Sequence, residues 1–129
     1  MGKFANKEEP LGRFVSNIEF ELHEDLIYTT DSGLTVFVPK RTITDFASIP
    51  RFFWRIMPPW DTHRKAAIVH DHLYSTQAFP KKRADLIFLE AMKALDVPAW
   101  KRQAMYRAVR WFGFVAWKNH KTEKEAVIA

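Results

Sequence analysis

The apolar residues change their period once along this 129-residue chain, between residues 50 and 60. That switch constrains the fold more than any other feature. Before it, side chains alternate. Phe14-Val15 opens a run through Ile18, Phe20 and Leu22, a period-two pattern that suits a half-buried strand. The β-rich runs 26–30 and 34–38 flank Asp31-Ser32-Gly33, a short Gly-containing connection that reads as a hairpin. Pro39 cannot donate to a ladder and ends the second run. After residue 60 the period is helical. Asp61 or Thr62 can cap a helix through about Ser75. Pro80 opens a second helix ending near Asp96, and Pro98 opens a third that runs to about Asn119 with a soft point at Gly113. The connections are short, so the first two helices are expected to pack antiparallel. The expected class is α+β. A small N-terminal antiparallel β-sheet from residues 1–40 leads through a Pro- and aromatic-rich loop at 41–60. A helical hairpin and a long C-terminal helix follow over 61–120, and 121–129 is read as a frayed tail.

The length suits one domain, 1–129. Apolar residues at 47% can fill a single core, and 27% charged residues argue against wholesale disorder. No apolar run approaches the roughly 18 residues of a membrane span. The N-terminal residues carry no apolar signal core, so secretion by that route is unsupported. Cysteine is absent. Disulfides, thiolate zinc sites, iron–sulfur clusters and a cysteine nucleophile are thereby excluded. Charge is uneven. Residues 1–64 hold 8 Lys+Arg and 9 Asp+Glu, net −1, whereas 65–129 hold 12 and 6, net +6. An excess this local suits an acidic partner or a solvated face.

The most informative segment is Ala66-Ala67-Ile68-Val69-His70-Asp71-His72-Leu73-Tyr74. On a helical wheel His70 and Tyr74 fall inside the apolar arc, one turn apart, with Asp71 on its edge. A buried imidazole and phenol need hydrogen-bond partners. Asp85, at the flank of the packed side of the second helix, is the natural one, because an isolated buried carboxylate is costly and a paired one is tolerated. Arg83 points away from it. A His70–Tyr74–Asp85 network is therefore expected, with Asp71 beside it on a more open side.

Such a network supports two readings. A carboxylate on one ring nitrogen fixes the tautomer and raises basicity, leaving the other nitrogen to take a proton from water. Asp71 could then hold a hard cation that polarises a substrate oxygen. In the other reading the cluster is a satisfied polar pin between two helices. The two diverge on one point: a general base needs its second nitrogen open to water.

Two resemblances attach to these residues. Thr44-Asp45-Phe46-Ala47-Ser48-Ile49-Pro50-Arg51, then the 66–74 segment, then Arg83-Ala84-Asp85-Leu86-Ile87-Phe88, occur in order and resemble a family common in phages and prophages, domain of unknown function 1353. The resemblance implies a phage or prophage origin, with host cytoplasm or virion as the expected location, and brings no established activity. Locally, His70-Asp71-x-x-Tyr74 is similar to the active-site helix of secreted phospholipase A2. That resemblance implies His70 as general base, Asp71 as calcium ligand, and Tyr74 with Asp85 as its support. The glycine-rich calcium loop and the cysteines of that family are missing here. Asp45 and the backbone near Ala47 and Ser48 are the candidates to complete a calcium site.

Other constellations are weaker. His70 and His72 lie about 160° apart on a helix, and His63 lies two turns from His70, about 10 Å by helical rise, so a shared zinc ion is not expected. Ser48 lacks the surroundings of a nucleophile elbow; ahead of Ile49-Pro50 it suits a turn. On the third helix, counted from Trp100 at 0°, Ala104, Met105, Ala108, Val109, Phe112, Val115 and Ala116 fill one half of the wheel and read as core. Arg102, Tyr106, Arg107, Arg110, Phe114 and Trp117 occupy the other half. Aromatics interleaved with arginine suit a lipid interface or a protein contact. Nucleic acid fits less well, since no recognised binding motif accompanies the charge. Two functions thus stand at this point. One is a phage-derived, calcium-assisted hydrolase acting on an ester or phosphoester of an envelope component such as phospholipid. The other is a non-catalytic virion component or host-directed binding protein that contacts other phage proteins or the host through the basic aromatic helix.

Overall fold

The structure is a computed structural model that describes residues 2–5, 12–14, 19–44, 46 and 64–119. Among the described residues six strands precede three helices: β1 Lys3–Phe4, β2 Gly12–Phe14, β3 Phe20–Leu22, β4 Leu26–Thr29, β5 Thr35–Val38, β6 Ile43–Thr44, then α1 Arg64–Thr76, α2 Lys81–Ala94 and α3 Ala99–Phe112. The class is α+β, as the change of period implies. The sheet is not single. β1-β4-β5 and β2-β3-β6 form two three-stranded antiparallel sheets, and β6 lies beyond the 1–40 boundary. The run from Phe14 to Leu22 also divides. β2 and β3 pair with each other, Phe14 opposite Phe20. A period-two pattern reports which face is buried, not where the chain reverses.

The β4–β5 hairpin forms where Asp31-Ser32-Gly33 places it. Gly33 takes φ 87°, which glycine adopts without steric cost. The Gly33 N–H donates to the Thr30 carbonyl and the Thr30 N–H to Leu34. Tyr28 opposes Val36, and Leu26 opposes Val38. All four are buried, because alternate residues share one face.

The helix ends follow local chemistry. α1 stops where Gln77 adopts φ 53° and its N–H donates to the Leu73 carbonyl at 2.9 Å, a left-handed cap. α2 stops where Asp96 adopts φ 58°, with Val97 N–H on Met92 and Asp96 N–H on Lys93, the paired bonds of a Schellman cap. Pro80 and Pro98 sit at the N-caps of α2 and α3. Four residues link α1 to α2, which pack together; α2 also packs on α3, and α1 on β4, β5 and β6. α1 is therefore covered on nearly every side, with 65–71, Leu73 and Tyr74 all buried. The proposed caps Asp61 and Thr62, the loop residues 45 and 47–60, and the tail 121–129 lie outside the described residues.

The third helix is turned from its expected orientation. Met105, Ala108 and Val109 are buried as expected, but Phe112 and Val115, also expected in the core, are exposed. The three buried residues lie inside the expected half of the wheel, and the sheltered arc as a whole is shifted by roughly 50° toward Arg110 and Trp117. Two contacts hold it there. Arg110 turns inward to Asp85, and Trp117 packs edge-on against the Tyr74 ring at 5.1 Å while its carbonyl accepts from Gln77 Nε2.

Candidate functional site

The His70–Asp85–Tyr74 contacts form. His70 Nε2 lies 2.7 Å from Asp85 Oδ1, and Tyr74 Oη donates to the same oxygen at 2.7 Å. Two cations take the other oxygen. Lys81 Nζ donates to Asp85 Oδ2 at 2.8 Å and Arg110 to it at 3.2 Å. Lys81 Nζ also reaches the Val109 and Arg110 carbonyls, tying α2 to the end of α3. Asp85 thus receives donors from all three helices while fully buried. Sequence reasoning missed Lys81 and Arg110. The i,i+4 spacing of Lys81 and Asp85 was a legible signal; the inward turn of Arg110 had none.

Burial alone would push the Asp85 carboxyl up. Hydrogen bonds from His70, Lys81 and Tyr74 outweigh it and hold the group at about 2. Asp85 is ionised, so the His70 Nε2–H donates to it and the lone pair sits on Nδ1. Burial pushes His70 below the ordinary histidine value despite the pull of Asp85 and Asp71. The ring is neutral at pH 7. Burial, followed by the charge of Asp85, pushes Tyr74 well above its ordinary range, so it stays a donor.

The expected opening to water is absent. His70 is 0% exposed. Its ring packs on Tyr74 at 4.3 Å and on Phe88 at 4.5 Å. Asp71 is not on an open side either. It is buried, and its Oδ2 accepts from the Thr44 hydroxyl at 2.5 Å. Thr44 Oγ1 in turn accepts from the Phe46 N–H. The reason is β6: a short strand that the sequence did not mark lays Thr44 over the helix edge.

Asp45, the second expected metal ligand, lies outside the described residues, as do His63 and Ser48. Calcium takes 6–8 oxygen ligands. Among the described residues Asp71 brings one carboxylate, already engaged by a hydroxyl donor, and no group of three or more His, Cys, Asp or Glu is placed to hold a metal. Asp45 and the backbone near Ala47 and Ser48, expected to complete a calcium site, lie outside the described residues, so no chemistry is routed through a cation here.

The partner-binding set is split. Arg107 and Phe114 are exposed, as expected. Arg110 is committed to Asp85, and Trp117 packs against the core. Arg102 is half-buried and donates to the Val97 carbonyl, and Tyr106 is half-buried. No helix among the described residues is long and apolar enough to cross a membrane.

Strands leading into an α1–α2 pair pinned on a buried carboxylate define a small α+β protein with a polar keystone. Residues 20–109, from β3 to the last turn of α3, match the family described as protein of unknown function (DUF1353), and the chain belongs to that family. It is also 36% identical over 109 residues to the uncharacterized protein y4jT of Sinorhizobium fredii (strain NBRC 101917 / NGR234). That match covers 81% of this chain and 32% of the relative, so the chain spans about a third of that protein's length. No solved structure matches.

Proposed function

We propose that this is a non-catalytic binding protein of phage or prophage origin, a virion component or host-directed binder, whose working surface is the outer face of α3. The enclosure of His70 carries the reading. A general base must exchange a proton with water, and this ring has no exposed edge. The carboxylate beside it is saturated by donors from three helices, which is what a structural pin requires. The pin fixes the rotation of α3 and so decides which side chains that helix presents.

One observation favours a second reading. The His70 Nε2–Asp85–Tyr74 arrangement is the bracing that the phospholipase resemblance implies. In that reading a water reaches Nδ1 after the covering side chains part. His70 takes a proton from the water as its oxygen bonds to the carbonyl carbon or phosphorus of an envelope ester or phosphoester; Asp85 stabilises the imidazolium, and the proton passes to the leaving alkoxide as its C–O or P–O bond breaks. Calcium at Asp71 belongs to that reading alone.

Carbethoxylation of the native protein by diethyl pyrocarbonate, with peptide mapping, separates the two. The binding reading expects His70 to stay unmodified while exposed His23 reacts. It also expects no hydrolysis of phosphatidylglycerol vesicles or nitrophenyl esters, with or without added calcium. Rapid native modification of His70, or turnover that His70→Gln removes, would overturn it.

A further inference from the structure

The rotation of α3 creates a surface that the sequence wheel did not show. Trp100, Gln103, Arg107, Trp111, Phe114 and Lys118 are all exposed and recur at spacings of three and four, one stripe along a helix. The Gly113 N–H still donates to Val109, and Trp117 N–H to Gly113, so the helical path continues past the end of α3. The stripe spans 19 residues, Trp100 to Lys118, about 27 Å by helical rise. Its aromatics are unusually bare: Trp111 is 70% exposed, Trp100 66% and Phe114 58%. A contiguous apolar patch on a soluble surface marks an interaction site.

Charge selects the partner. Between Asp96 and Glu123 the sequence has six Lys or Arg and no acidic residue. Bare Trp and Phe flanked by cations, on a stretch whose sequence carries no acidic residue, form the pattern of an interfacial helix. The rings enter the boundary between headgroup and acyl chain while the cations meet anionic headgroups. We infer that the outer face of α3 and residues 114–118 docks on an anionic lipid bilayer, lying in its surface without spanning it. This rests on the binding reading above and names its partner.

The test is co-sedimentation of the full chain with vesicles of phosphatidylcholine alone or mixed with phosphatidylglycerol. Binding to the mixed vesicles is expected, weakening as salt is raised, with little binding to neutral ones. Trp111→Ala with Phe114→Ala should weaken it by about tenfold or more. Arg107→Glu with Lys118→Glu should do the same on mixed vesicles. All four residues are exposed, so the variants should fold normally, checked by thermal melting. Absence of wild-type binding, or equal binding by the variants, overturns the inference. A stable dimer that Trp111→Ala dissolves also overturns it, by assigning the face to a second copy. Bilayer failure with an unreactive His70 overturns this inference alone; native reactivity of His70 overturns the reading beneath it.

Discussion

Arg110 and Asp85 meet at 3.2 Å across α2 and α3, 25 residues apart in sequence. The guanidinium leaves the helix surface to complete the donor set of a carboxylate that is 0% exposed. This contact decides which residues of α3 face outward, and so links the core to the docking surface.

Arg107 and Arg110 fall on the same half of the wheel and are separated by the structure. Arg110→Ala should lower unfolding stability by about 1–2 kcal/mol, the scale of a hydrogen bond to a charged group that is partly exposed. Arg107→Ala, on an exposed position, should stay within about 0.5 kcal/mol of the parent. Urea unfolding of the two variants side by side measures the difference. Equal effects would place Arg110 outside the core network.

Asp85→Ala should cost about 3 kcal/mol, the lower end for breaking a buried ion pair. Lys81 and Arg110 are partly exposed and can recover water, which moderates the loss. Tyr74→Phe removes one of four donors and should cost about 2 kcal/mol. Chemical denaturation curves check both. A neutral Asp85→Ala would remove the keystone role.

Stability should fall with acid in two windows. His70 and His72 lie below the ordinary histidine value when folded, chiefly through burial. The unfolded chain therefore binds protons first as pH drops through about 6.5, and stability is lost there. Asp85 sits at about 2 when folded against 3.8 as its reference value. Its contribution is complete above 3.8 and is lost as pH falls toward 2. Urea midpoints collected from pH 8 down to pH 3 should decline in both ranges. His70→Gln should shrink the upper decline and leave the part due to His72. A flat profile between pH 7 and 5 would contradict a buried neutral imidazole.

Gly113→Ala tests the close approach at the end of α3. Gly113 has helical torsions, so its role is steric. An added Cβ would lie 2.4 Å from the Val109 carbonyl oxygen and 2.6 Å from Tyr74 Oη. The gain in helix propensity is about 1 kcal/mol. Overpacking against fixed backbone costs about 1–3 kcal/mol. A net loss is expected, seen as a lower Tm, with the Tyr74–Asp85 contact disturbed. A higher Tm would show that the helix end has room.

Much of the fold was legible because it is periodic. The hairpin at Gly33, the helix boundaries at Pro80 and Pro98, and the burial of His70 and Tyr74 follow from local chemistry and a single apolar arc. The contact of His70 and Tyr74 with Asp85 followed from the cost of leaving a carboxylate alone in hydrocarbon. Dividing the run from Phe14 to Leu22 into β2 and β3 did not follow, because alternation is the same for one strand or two.

The sequence by itself determined the α+β class, the three helices and the need for a polar cluster between α1 and α2. Tertiary structure alone decided the rotation of α3, the recruitment of Arg110, the covering of Asp71 by Thr44 and the sealing of the His70 ring. Those are long-range choices. Each depends on where a charge or hydroxyl from a distant element finds a buried partner, and a helical wheel contains no information about the neighbour it faces.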